Sequence, residues 1–308
     1  MDLLAVAAGV VLLYYGGEHL VTGATSLARA LGLSQMVIGL TVVAFGTSAP
    51  ELAASIMAAV FRDAPEIAMS NVIGSNVANI GLILGIAALI APMRTNAPFL
   101  RREVPMMILV SALLMLLVWW GALGRVTGLL FLALLAAYLW LLLKVGGDIP
   151  LEDADWTGPS PPMLRSAARV ALGIALLAFG ARVLIDGAIS AAEDFGVSTR
   201  IIGLTLVAIG TSLPELATVI VAATKRETDL VLGNVIGSNI FNILCILGVT
   251  LLVHPFEISF AETRIDLLVM MALAVSIWPL LLFRMRIGPK RGLTLLVVYL
   301  AYIVWLFV

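Results

Sequence analysis

One motif occurs twice in this chain, and each copy sets a single carboxylate inside an apolar run. Residues 39–55 read GLTVVAFGTSAPELAAS and residues 203–219 read GLTLVAIGTSLPELATV, identical at twelve of seventeen positions with an offset of 164. A second pair follows: NVIGSNVANIGLILG at 71–85 and NVIGSNIFNILCILG at 234–248 agree at eleven of fifteen positions, now offset by 163. The chain is therefore two diverged copies of one unit. Glu51 and Glu215 are the duplicated acids.

The surroundings of those acids decide the class of protein. Of 308 residues, 62% are hydrophobic and only 12% charged, and the mean hydropathy is +1.12. Such a composition belongs in a bilayer, whose hydrocarbon core of about 30 Å takes a helix of about 20 apolar residues. No alternating barrel-type strands are seen, so the expected fold is an all-α integral membrane protein. A net charge of −1 offers no broad basic face to nucleic acid, and the lone Cys245 excludes an intramolecular disulfide. Met1-Asp2-Leu3 lacks a positive leader, so the first apolar run is expected to be a retained helix.

Charges, glycines and prolines punctuate the chain into helices at roughly 3–29, 36–61, 67–91, 104–121 and 126–145, then 165–192, 200–224, 230–253, 265–283 and 293–308. Five helices per copy, ten in all, have a topological consequence. With an odd number, the second copy enters the membrane from the opposite side, giving two inverted five-helix repeats. The expected division is 1–145, a linker at 146–164 rich in Pro, Asp and Glu, and 165–308. Basic residues favour cytoplasmic loops. With both termini outside, thirteen of the eighteen Lys and Arg fall at cytoplasmic ends and four at external ends, leaving Arg182 within a helix.

The repeated motifs carry the chemistry. Pro50 and Pro214 interrupt helices at matching places, freeing backbone carbonyls that lipid cannot serve. Within a turn of each break lie hydroxyls, Thr47 and Ser48 or Thr211 and Ser212, and a carboxylate, Glu51 or Glu215. Asn71, Ser75 and Asn79, like Asn234, Ser238 and Asn242, recur every fourth residue and make a polar stripe on one helical face. Asn76 and Asn239 point elsewhere and are expected to bond across helices. Carboxylate, hydroxyl, amide and carbonyl oxygens, with no thiolate or imidazole among them, suit hard cations such as Ca²⁺ or Na⁺. Two carboxylates balance one Ca²⁺ or a set of monovalent ions, which is a physical basis for exchange. Elsewhere, Arg182 and Asp186 are spaced to pair on one helix. Glu18 differs from Arg182 by the repeat offset, so the two are expected to meet if their helices pair about the pseudo-axis. His19 is expected to be a satisfied interior or interfacial residue.

GTSAPE followed by NVIGSN, in two copies, resembles the repeats of the cation/calcium exchanger superfamily, and of the sodium/calcium exchanger family in particular. The resemblance spans both halves. It implies an antiporter that moves Ca²⁺ against Na⁺ by alternating access at a midplane site. Position by position it assigns Glu51, Glu215, Thr47, Ser48, Thr211, Ser212, Ser75, Asn79, Ser238 and Asn242 as cation ligands, with the carbonyls of Ala44 and Ala208. Many relatives have aspartate where this chain has Asn242; an amide does not titrate, which weakens the case for K⁺ cotransport and leaves the coupling ratio open. The linker at 146–164 is too short for the large regulatory domain of animal members, so no separate Ca²⁺-sensing domain is expected.

Na⁺/Ca²⁺ antiport at the plasma or inner membrane is thus the leading reading, and H⁺/Ca²⁺ antiport through the same acids the nearest alternative. A channel fits broken helices and buried acids less well. An enzyme is not expected: no zinc-protease or P-loop motif is present, and His19 and His254 are the only histidines. No cofactor is implied beyond the transported ions, and a single chain is expected to suffice.

Overall fold

The computed structural model describes residues 2–62, 64–94, 97–145, 162–194, 210–282 and 286–306. In chain order the helices are α1 (Asp2–Leu31), α2 (Gln35–Thr47), α3 (Ala49–Phe61), α4 (Pro65–Ile90), α5 (Ala97–Trp119) and α6 (Arg125–Val145). The second half supplies α7 (Met163–Asp194), α8 (Leu213–Thr224), α9 (Thr228–Val253), α10 (Phe260–Leu282) and α11 (Pro289–Leu306). Two short strands, β1 (Met93–Arg94) and β2 (Arg286–Ile287), pair antiparallel with Met93 opposite Ile287.

Nine of the ten expected segments coincide with these helices over their described residues, and the seventh, 200–224, does so over Leu213–Thr224. Positions 200–209 of the seventh, including Ala208, and 146–161 of the linker lie outside the described residues. Among the described residues, seven helices are long and apolar enough to cross a bilayer, and the bent pair α2–α3 makes an eighth. The protein is an all-helical, multi-pass membrane protein. Its outward surface is correspondingly greasy, with Leu3, Val126, Leu164 and Val304 among many exposed apolar side chains.

The two halves meet along α1 and α7. Gly9 faces Leu184, Gly16 faces Leu177 and Gly23 faces Val170, so these equivalent helices run antiparallel, as inverted repeats require. Their backbones nearly touch: a methyl at Gly16 would sit 2.8 Å from the Leu177 nitrogen, and one at Gly173 2.5 Å from that of Leu20. Glycine at 9, 16 and 23 and again at 173 and 180 repeats every seventh residue, which keeps the small side chains on one seam.

The same register corrects the expected meeting of Glu18 and Arg182. Position 18 lies level with residues just after Gly173, so Arg182 is displaced along the seam by about two turns, ~10 Å. Equivalent positions of antiparallel helices meet only at the crossing point. Glu18 instead pairs with Lys225 beyond the end of α8, and the Lys225 ammonium also reaches the Thr22 hydroxyl at 3.1 Å. Arg182 and Asp186 pair with each other at 3.8 Å, as their spacing suggested, and both are largely exposed.

Inside this frame α4 and α9 are the most enclosed of the candidate spans. α9 lies against α2, where a Cβ at Gly237 would come within 2.8 Å of the Leu40 backbone. Tight approach of these two helices brings one half's polar stripe to the other half's broken helix.

Candidate cation site

Pro50 and Pro214 each fall in the first turn of a helix, α3 and α8, where a missing N–H costs least. The preceding helix must nevertheless end. An imino nitrogen at position 50 cannot serve the Gly46 carbonyl, and α2 and α3 are bent by 40° at Ser48, whose φ and ψ are −84° and 3°. Ser212 adopts nearly the same angles, −91° and 6°. One freed hydroxyl is used at once: Thr47 Oγ1 lies 3.0 Å from the Val43 carbonyl. The Ala44 carbonyl keeps the Ser48 amide at 3.0 Å, so it is less bare than the break alone suggested.

The two breaks face each other and exchange partners. Ser48 of the first half donates to Glu215 Oε1 at 3.0 Å, and Ser212 of the second half donates to Glu51 Oε1 at 3.3 Å. The same crossing recurs one layer out. Thr47 reaches Asn234 Oδ1 at 3.3 Å, and Thr211 reaches Asn71 Oδ1 at 3.4 Å. Ser75 stands 3.4 Å from Ser212, and Ser238 donates to Asn234 at 3.1 Å. Neither half could build this cluster alone.

Burial makes the arrangement consequential. Glu51 is 1% exposed and Glu215 2%, and Thr47, Ser48, Ser75, Asn79, Ser212, Ser238 and Asn242 are buried as well. Among the described residues, Glu51 Oε2, Glu215 Oε2 and Asn242 Oδ1 have no hydrogen-bond partner. Three buried acceptor oxygens without donors are costly unless something positive meets them. Among the described residues no third acid, histidine or cysteine joins the two glutamates. Carboxylate and neutral oxygens alone form a donor set for a hard cation. A crevice beside Ser48, lined by Phe45, Leu52, Phe241, Cys245 and Ile246, has a volume of only about 10 Å³. That is room for a single water at most, not for a hydrated ion.

Of the residues expected from sequence, nine are thus placed in or beside the cluster, Glu51, Glu215, Thr47, Ser48, Thr211, Ser212, Ser75 and Ser238, with Ala44 buried against Gly237, while Asn242 is buried on α9 and bonds Asn76. Asn79 is buried on α4 but makes none of the bonds described above. Ala208 lies outside the described residues. Asn71 and Asn234, read only as part of a stripe, turn out to tie the two breaks together, and Asn71 also holds the Glu51 carbonyl at 3.1 Å and Ser55 at 2.9 Å. Asn79 and Asn242 each open a π-helical turn, Asn79–Ile83 and Asn242–Leu247, an element often found at functional sites and without a periodic sequence signal.

A further duplicated pair was missed. Tyr138 on α6 donates to buried Glu103 on α5, and Tyr302 on α11 donates to Asp266 on α10, both at 2.8 Å. Their separations, 163 for the acids and 164 for the tyrosines, match the repeat offsets and could have flagged them.

Comparison with known proteins bears on the family and the fold. The profile of the sodium/calcium exchanger protein family matches residues 1–144 and 165–308. The putative antiporter CaxA of Alkalimonas amylolytica is 40% identical over 96% of each chain. The inner membrane protein YrbG of Escherichia coli (strain K12) is 38% identical, over 97% of this chain and 95% of YrbG. Among solved structures, the sodium-calcium exchanger NCX_Mj soaked with 10 mM Na⁺ and zero Ca²⁺ superposes with a TM-score of 0.87 at 33% identity, covering 98% of both chains.

Proposed function

The chain belongs to the sodium/calcium exchanger family, and within it we propose that this protein exchanges Na⁺ for Ca²⁺ at the cluster between the two broken helices. The observation that carries the reading is the crossed pair, Ser48 to Glu215 and Ser212 to Glu51, with a bare carboxylate oxygen left on each acid. Two buried negative charges demand equal positive charge. One Ca²⁺ supplies it, and so do monovalent ions, so the two kinds compete for the same oxygens. The proposed ligands are Glu51, Glu215, Thr47, Ser48, Thr211, Ser212, Ser75, Asn79, Ser238 and Asn242 with the carbonyls of Ala44 and Ala208. Because each half completes the other's site, rocking one half against the other would open the cluster to alternate sides. The halves are taken as 1–145 and 165–308 joined by 146–164, with both termini outside; the distribution of Lys and Arg supports that orientation. One chain holds both carboxylates, which supports a monomer as the working unit.

The test is ⁴⁵Ca²⁺ uptake into proteoliposomes loaded with Na⁺, with K⁺ or with a proton gradient. Uptake is expected only against internal Na⁺ and is lost in Glu51→Gln. Uptake driven by protons alone would assign the same site to H⁺/Ca²⁺ exchange. Sustained conductance without a counter-ion would remove antiport altogether.

A further inference from the structure

Asn76 bears on how the cation site is oriented, an inference that rests on the ligand set proposed above. The residue is wholly buried on α4, next to Ser75 in the chain. Its Nδ2 lies 3.3 Å from the main-chain carbonyl of Asn239 on α9 and 3.7 Å from Met270 Sδ on α10. A carbonyl can only accept, so Asn76 must turn its NH₂ group towards it, and its Oδ1 is thereby sent the other way. There it meets Asn242 Nδ2 at 3.0 Å. Asn242 must in turn offer its NH₂ to Asn76. What remains of the Asn242 amide is Oδ1, buried and without a hydrogen-bond partner among the described residues.

A sequence of constraints thus runs from a backbone carbonyl through two amides and ends in one oxygen. We propose that Asn76 is a positioning residue that locks the Asn242 amide with its oxygen, rather than its NH₂, towards the transported cation. Unlocked, the amide would flip and present two positive hydrogens to the ion. Among the described residues the other half shows no such lock. Asn239, the repeat counterpart of Asn76, gives its Nδ2 to the Val235 carbonyl of its own helix at 2.7 Å. Asn79 and Asn242 occupy equivalent places, yet this device orients only Asn242. It makes the second half the better-defined source of a neutral amide oxygen, the ligand that stands where an additional carboxylate would otherwise add charge.

The experiment is a double-mutant comparison. Asn76→Ala is made in the wild type and in Asn242→Asp, and the half-saturating Ca²⁺ concentration and maximal rate are measured by ⁴⁵Ca²⁺ uptake. A carboxylate presents oxygen whichever way it turns and needs no orienting partner. In the wild type, loss of one neutral hydrogen bond should raise half-saturation about three- to tenfold with a smaller change in maximal rate. In Asn242→Asp the same substitution should change it little. An equal factor in both backgrounds would show a merely structural role and overturn the proposal, as would unchanged half-saturation in Asn76→Ala. Asn76→Ser, which keeps a hydroxyl for the Asn239 carbonyl, replaces Asn76→Ala if the latter does not reach the membrane. Asn242→Ala separates the two levels of inference. Normal half-saturation there, with Glu51→Gln inactive, would overturn the orienting role and leave antiport standing.

Discussion

Replacing one glutamate by glutamine removes a charge and almost nothing else. Glu215 Oε1 accepts from Ser48 at 3.0 Å, and a glutamine carbonyl can accept the same bond. The fold should therefore survive, and thermal melting in detergent should hold or rise, since one buried charge has gone. Transport should not survive. A Ca²⁺ ion balanced by Glu51 and Glu215 would be left with one net positive charge among buried side chains. Breaking a buried ion pair by removing one partner costs about 3–5 kcal/mol, which is a rise of ~10²- to several 10³-fold in half-saturating Ca²⁺. A single Na⁺ is still balanced by the remaining carboxylate, so Na⁺/Na⁺ exchange should fall by much less. Parallel ⁴⁵Ca²⁺ and ²²Na⁺ exchange assays on Glu51→Gln and Glu215→Gln test both statements. Near-normal Ca²⁺ exchange in either variant, or equal loss of both ions with an unchanged melting point, would refute the charge argument.

Other expectations concern the frame. Gly16→Val forces a branched side chain against the Leu177 backbone, where a Cβ already comes within 2.8 Å; overpacking should cost about 1–3 kcal/mol or more, read as a lower melting temperature, while an unchanged one would mean that the α1–α7 seam is loose. Tyr138→Phe strips the phenol from Glu103, which is 0% exposed, and should destabilise by about 1–3 kcal/mol. Tyr302→Phe, whose partner Asp266 is partly exposed, should cost less, so the reverse order of the two melting points would contradict the burial argument.

Much of this architecture was open to reading because duplication makes a sequence its own control. GTSAPE and GTSLPE mark the broken helices, their odd helix count implies inversion, and the structure brings their hydroxyls and acids together as that inversion requires. What escaped was geometry that local pattern does not encode. The π-turns at Asn79 and Asn242 leave composition and hydropathy untouched. The partner of Glu18 depended on where antiparallel helices cross, which is set by the seven-residue glycine spacing of α1 and α7 rather than by the repeat offset. The acid–tyrosine pairs were visible as matched offsets, but hydropathy reads Tyr138 and Tyr302 as ordinary members of apolar helices.

Inverted repeats with one chain sequence per half also let the halves drift apart, and one such drift is measurable. Asn71 gives its amide to the Glu51 carbonyl and to Ser55, while its counterpart Asn234 has a buried Nδ2 with no hydrogen-bond partner among the described residues. The repeat places Val219 where Ser55 stands in the first half. Val219 is wholly buried and cannot accept a hydrogen bond, so the second half carries an orphaned donor that the first half does not. An unsatisfied buried donor costs about 1–3 kcal/mol, against which a new hydroxyl must set its own desolvation. Val219→Thr keeps the shape and should raise stability by up to about 1 kcal/mol, whereas Ser55→Val, which orphans Asn71 in the same manner, should lower it by about 1–2 kcal/mol. Melting temperatures of the two variants and of the double variant decide the matter. Destabilisation by Val219→Thr would mean that Asn234 Nδ2 is needed unpaired, and would move the explanation from drift between the halves to a role for that amide during exchange.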